Sequence, residues 1–183
     1  MNRSGEDKFI GAYVKDPKPG RYDWVYDLDL TSMYPSTIMT LNISPEMKIG
    51  KLNGWNAKDF IKGISKTYSL EKDGKVKGHM NNKELKNMFD NNKVSISSNG
   101  IMYRYDKKGL IPSILSKWFD ERVEYKNLMK KHGDEGNTDK YEYFKRRQHV
   151  QKIVLNSLYG VLGLPVFRFY DIDNAEATTT TGQ

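Results

Sequence analysis

Lys152, Asn156 and Tyr159 stand at i, i+4 and i+7 in the run Lys152-Ile153-Val154-Leu155-Asn156-Ser157-Leu158-Tyr159-Gly160. At about 100° per helical residue they share one face, while Val150, Val154 and Leu158 fall roughly opposite. The spacing predicts a packed side and, facing away from it, a cation, an amide and a phenol in line. A plain solvated polar face is the other reading. Arg122 and Lys126 are likewise one turn apart. Two such cations weaken an isolated helix by about 0.2–0.5 kcal/mol, and an anion held between them reverses that sign. Glu121 and Glu124 offer surface ion pairs as the alternative. A breaker cluster, Gly133-Asp134-Glu135-Gly136-Asn137-Thr138, separates the two stretches. Folded back on each other as helices rising about 1.5 Å per residue, they bring Arg122 and Lys152 to within roughly 6 Å of the same height. Arg122, Lys126 and Lys152 then form one cationic patch suited to a polyphosphate.

A third group is Asp29-Leu30-Thr31-Ser32-Met33-Tyr34-Pro35-Ser36. An Asp at the end of a strand, followed by a tight turn into a helix, can hold a divalent cation, and the N–H groups of the turn can face an anion. A magnesium site of ordinary strength needs a second carboxylate. Asp27 lies on the same strand face but further down. A purely structural role for Asp29 remains the alternative.

These residues depend on elements read from the pattern. Phe9–Val14 and Trp24–Leu30 read as strands, with a turn over Asp16–Gly20 between them. Pro35-Ser36 suits the first turn of a helix. Residues 50 to 100, rich in Gly, Lys and Asn, read as mostly loops, with a short helix near Asn82–Phe89 and a strand near Val94–Ser97. Turn signals at Asn99-Gly100 and Asp106–Gly109 make Ile101–Tyr105 one arm of a hairpin. Pro112 to about Lys131 and Thr138 to about Tyr159 read as an antiparallel helical hairpin, with Gly160 ending the second helix. Phe167–Tyr170 reads as a strand followed by an unfinished element.

The composition excludes other chemistries. The chain has 183 residues, 30 Lys and Arg against 23 Asp and Glu, and a net charge of +7. The absence of Cys removes disulfides, thiolate metal sites and thiol catalysis, and three scattered His argue against a His-based zinc site. No apolar run approaches the roughly 20 residues of a membrane span, so no membrane partner is expected. The basic balance suits an anionic partner.

Asp29-x-x-Ser32-x-Tyr34-Pro35-Ser36 resembles motif A of the family B DNA polymerases, with Met33 where Leu is usual. Lys152-x-x-x-Asn156-Ser157-x-Tyr159-Gly160 resembles their motif B, in the family's order and after a helical hairpin. Phe9–Pro17, Leu41–Glu46 and Phe167–Asp171 resemble the T-even phage branch. The resemblance implies an α+β fold: part of a polymerase palm, with an antiparallel sheet, plus an antiparallel two-helix fingers hairpin. Residues 1–111 would be palm with motif A and a loop-rich insertion, 112–160 the fingers, and 161–183 an incomplete return to the palm.

The resemblance also implies roles. Asp29 and the Leu30 carbonyl would bind two magnesium ions. The Ser32 and Met33 backbone would meet the triphosphate, and Tyr34 would lie against the deoxyribose and exclude a 2′-OH. Arg122, Lys126 and the catalytic Lys152 would hold the triphosphate. Asn156 would approach the nucleotide, and Tyr159 with Gly160 would line the nascent base pair. Motif C, which carries the family's other catalytic Asp, is absent; Asp171-Ile172-Asp173 is not taken as its substitute. The fingers hairpin is shorter than in the T-even enzymes. The chain is therefore read as the central subunit of a split DNA-directed DNA polymerase, starting with its own Met. Primer-template DNA, dNTP and further chains carrying the exonuclease region, motif C palm and thumb are its expected partners. The expected setting is the cytoplasm of an infected bacterial host. A non-catalytic nucleic-acid-binding remnant and a cloned fragment of a polymerase are the alternatives.

Overall fold

A computed structural model describes residues 15–182. Its helices are α1 (Met33–Leu41), α2 (Ala57–Ile61), α3 (Asn82–Asp90), α4 (Leu110–Asp134), α5 (Thr138–Leu162) and α6 (Ile172–Gly182). Its strands are β1 (Lys48–Asn53), β2 (Thr67–Lys72), β3 (Lys75–Asn81), β4 (Val94–Ile96) and β5 (Ile101–Arg104). The strands form one antiparallel sheet in the order β3-β2-β1-β5-β4. The fold is mixed α+β, as expected.

Two apolar clusters hold it together. The larger joins α1, β5 and the base of the α4–α5 hairpin through Ile38, Ile101, Ile111, Leu115, Leu155 and Leu162. Asn42 locks that junction. It ends α1 in the left-handed region (φ 58°), donates through Nδ2 to the carbonyls of Arg104 (2.7 Å) and Lys107 (2.9 Å), and accepts from the Gly109 N–H (2.8 Å). The N-terminus of α4 finds its acceptors in Glu46 Oε1 (from the Leu110 N–H, 2.7 Å) and Ser44 Oγ (from Ile111, 3.4 Å).

The second cluster corrects the expectation of loops over residues 50 to 100. Leu52, Tyr68, Leu85, Val94 and Met102 are buried together between the sheet, α2 and α3. The β2–β3 turn is Asp73-Gly74, both at positive φ (53° and 71°), the conformation that two-residue hairpins demand. Helix α3 starts on a full capping box, Asn81 accepting from the Lys83 and Glu84 N–H groups while Glu84 accepts from that of Asn81. The helix near Asn82–Phe89, the strand near Val94–Ser97 and the β4–β5 hairpin stand where the sequence puts them.

Three other expectations change. Residues 24–30 form no strand. The segment is extended and exposed (Trp24 91%, Leu28 93%), and no described strand runs beside it to accept a ladder. Phe167–Tyr170 is a chain of turns, after which α6 forms from the threonine-rich tail. Thr178, Thr179 and Thr180 each donate to the carbonyl four residues back, so their hydroxyls are satisfied inside the helix. Gly160 does not end α5, which runs on to the buried Leu162. The strand expected over Phe9–Val14 lies outside the described residues.

Candidate functional site

The base of the α4–α5 hairpin meets the start of α1. Ser32, at φ 52° and ψ 51°, turns the exposed chain into α1; its carbonyl accepts the Ser36 N–H (2.9 Å), and Ser36 Oγ donates to the Thr31 carbonyl (3.1 Å). Pro35 falls in the first helical turn, where no backbone N–H is needed. Against this turn lies Arg122 of α4. Its Nη1 donates to Ser32 Oγ at 3.1 Å, the residue is 9% exposed, and its Nε is buried without an acceptor. Among the described residues, no carboxylate lies within ion-pair distance of its guanidinium. A buried cation lacking a carboxylate partner is costly unless an anion arrives.

Beside it, the rings of Tyr34 and Tyr159 stack, centroids 4.2 Å apart and planes 20° from parallel. Burial, and next the neighbouring Tyr159, push the Tyr34 phenol above its ordinary value of 10.0. The Tyr159 hydroxyl shares a 2.5 Å hydrogen bond with Thr179 of α6. Thr179 is a site neighbour that the sequence did not reveal; it lies in a run of four threonines with nothing to single it out. The Ser32 side chain was also missed, because only its backbone was assigned a part.

Arg122 and Lys152 do stand level across the hairpin, since the adjacent Gln151 donates to Glu121 there. They face differently: Arg122 is buried inward, whereas Lys126, Lys152 and Asn156 are exposed and hold no side-chain partner among the described residues. The packed side of α5 also differs from expectation. Leu155 and Leu162 are buried with Leu158 and Tyr159 against them, while Val150 is 55% exposed. The reason is that α1 and α6, not solvent, cover the face that includes Tyr159. Gly160 has open space where a Cβ would point.

Asp29 and Leu30 lie on the exposed extended segment. Among the described residues Asp29 has no ion-pair partner, and no group of three His, Asp or Glu is able to hold a metal. Asp171 and Asp173 are engaged elsewhere. Both accept from Lys48 Nζ (2.9 and 2.8 Å), and Asp171 caps α6 by accepting from the N–H groups of Asp173 and Asn174.

The chain matches the family described as DNA polymerase family B over residues 1–183. This protein belongs to that family. It is 30% identical to the DNA-directed DNA polymerase of Escherichia phage RB69, across 96% of this chain and 22% of that protein. Identity to the enzyme of Enterobacteria phage T4 is 27%, over 97% of this chain and 23% of the relative. The DNA polymerase of Pyrococcus glycovorans is 29% identical over 97% and 18%. The fold resembles the family B DNA polymerase of the archaeon Pyrobaculum calidifontis, with a TM-score of 0.56 at 21% identity over 81% of this chain and 15% of that one. The chain thus spans about a fifth of the length of these relatives. Against the RB69 enzyme the alignment runs over 223 residues and against the Pyrococcus enzyme over 177, so the same span is longer in the phage protein. No helix among the described residues is long and apolar enough to cross a membrane.

Proposed function

We propose that this chain supplies the dNTP-binding portion of a DNA-directed DNA polymerase, as the central subunit of a split enzyme working in the cytoplasm of a phage-infected bacterial host. Residues 1–111 would serve as palm, 112–160 as fingers and 161–183 as a return to the palm. One observation carries the reading: a buried guanidinium without a carboxylate, Arg122, meets the Ser32 turn of the motif A segment beside the Tyr34–Tyr159 stack. A triphosphate would give that cation its counter-charge. Lys126 and Lys152, both exposed, would reach the same phosphates from the solvent side. Asn156 would approach the nucleotide, and Tyr159 and Gly160 would line the base pair, with Gly160 leaving a flat backbone surface.

The reaction is attack of a primer 3′-OH on the α-phosphate with pyrophosphate leaving. Asp29 and the Leu30 carbonyl are hard oxygen donors of the kind magnesium takes, and a second carboxylate would come from a partner chain carrying motif C. Bound magnesium would lower the pKa of the attacking hydroxyl and offset charge on the transferred phosphoryl group. Arg122 and Lys152 would neutralise the departing pyrophosphate, and Tyr34 would hold the sugar in place against its ring. Primer-template DNA and the chains carrying the exonuclease region, palm remainder and thumb would complete the enzyme.

The test is co-purification from the native source followed by primer extension. A chain carrying a D-T-D-S motif should accompany this one, and the assembly should extend a primer. Asp29→Asn should abolish extension while primer-template binding stays within a few-fold, because DNA affinity comes from basic contacts elsewhere. Extension above a few per cent of wild type would remove Asp29 from the metal site.

A further inference from the structure

The outer half of α5 carries a surface that the nucleotide site does not use. After Glu142 the helix contains no acidic residue up to its end at Leu162, yet it carries Lys145, Arg146, Arg147, His149 and Lys152. Tyr143 (49% exposed) shares this stretch, and at helical spacing Lys140, Tyr143, Arg147 and Val150 form one stripe. The Arg147 guanidinium lies between two rings, 5.5 Å from that of Tyr125 on α4 and 5.8 Å from that of Tyr143. The Lys145 ammonium stands 5.4 Å from the Tyr141 ring and pairs with Glu142 at 2.9 Å. Neither Arg146 nor Arg147 has a carboxylate within ion-pair distance among the described residues. Phe144, wedged against Tyr125, Tyr143 and His132, holds the stripe rigid.

We propose that Tyr143 and Arg147 of this stripe, with the exposed Arg146 beside them, form a binding surface for single-stranded nucleic acid. An exposed ring beside cations without carboxylate partners suits a single strand: a base stacks on Tyr143 and phosphates meet Arg146 and Arg147. The acid-free run of α5 argues for a polyanion rather than a mixed protein surface. Tyr143 stands nine residues, about 14 Å, further out along the helix than Lys152. The stripe therefore engages strand beyond the nucleotide site, and the proposal does not depend on what that site binds.

The full chain is titrated against fluorescein-labelled oligothymidylate, without nucleotide, over a range of salt concentrations. Arg146→Ala with Arg147→Ala should flatten the slope of log affinity against log salt by about 1.4, or roughly 0.7 for each lost phosphate contact. Tyr143→Leu should weaken binding about tenfold with the slope unchanged, because a ring stacks on bases and meets no phosphate. Arg146→Glu, at an exposed position, probes the same contact without touching the Tyr125–Tyr143 packing and should weaken binding more than Arg146→Ala. An unchanged slope in the Arg variants overturns the proposal, as does wild-type affinity in Tyr143→Leu. Polyglutamate competing as well as unlabelled oligothymidylate also overturns it, since the surface would then serve an acidic protein.

Discussion

Replacing Arg122 by Met should make the free chain more stable while removing its response to triphosphate. Met has similar reach and no charge. In wild type Arg122 is 9% exposed, its guanidinium hydrogen-bonded to Ser32 Oγ at 3.1 Å and its Nε unsatisfied. The lost hydrogen bond costs about 1.5 kcal/mol, since its donor is charged but Ser32 is only half-buried and can turn to water. Removing an unsatisfied buried donor returns about 1–3 kcal/mol, and relieving the desolvation of an unpaired charge returns more. The balance is about 2 kcal/mol in favour of Met. For a chain of this length, at about 2–4 °C per kcal/mol, that is a rise of roughly 4–8 °C in Tm.

Thermal melting with and without dNTP and magnesium reads both effects. Ligand at about 100 times Kd adds about 2.7 kcal/mol to a protein that binds it, and the variant should lose most of that gain. A lower Tm for the ligand-free variant would mean that the guanidinium is a structural tie. An undiminished ligand shift would place the triphosphate elsewhere.

Three further outcomes are expected. Burial alone would lower the Lys48 pKa, but Asp173 and Asp171 outweigh it and hold it above its ordinary 10.5. Its stabilising contribution is therefore complete below about pH 10.5 and lost as pH rises through the elevated value; melting at pH 8 and 11 should show a shallower alkaline fall in Lys48→Met, and equal falls would refute the linkage. Asn42→Ala should cost about 3 kcal/mol, from three side-chain hydrogen bonds and a positive φ; Asn42→Gly, which tolerates that φ, should recover part of the loss in chemical denaturation. In a polymerase completed as proposed, Tyr34→Ala should raise use of ribonucleotides relative to deoxyribonucleotides by orders of magnitude. If the ratio of their kcat/KM values stays fixed while both fall, Tyr34 is there only to pack on Tyr159.

Several local signals were readable where the chain carries both sides of an interaction close together. Asn99-Gly100 closes β4 on β5, and the short helix near Asn82–Phe89 stands as α3. The β2–β3 hairpin escaped although Asp73-Gly74 marks it locally; the rest of what escaped needed distant partners. Residues 50 to 100 look unstructured because Lys, Asn and Gly coat them, yet Tyr68, Leu85 and Met102, far apart in sequence, make a core of their own. The threonines of α6 favour strand by type, and only their bonds back to carbonyls four residues earlier, with burial against α1 and α5, make them helical. Gly160 reads as a stop, but burial of Leu162 offsets the roughly 1 kcal/mol that an interior glycine costs. Trp24–Leu30 is the converse case: its residues favour a strand, and none of β1 to β5 offers it a neighbour.

The candidate site divides along the same line. Ser32, Tyr34, Arg122 and Tyr159 find one another within the chain, and their geometry is fixed. Asp29, Lys126, Lys152 and Asn156 are exposed. The buried charge of Arg122, without a counter-ion, costs stability that folding alone does not return, whereas the exposed groups keep their hydration. Spacing on a helix and a turn after a strand-like segment are what single out both groups in the sequence. Which members touch within the chain was not readable, since that depends on how closely α1 approaches the hairpin, and the bonds of Asn42 to Lys107 and Gly109 at that junction carry no local mark.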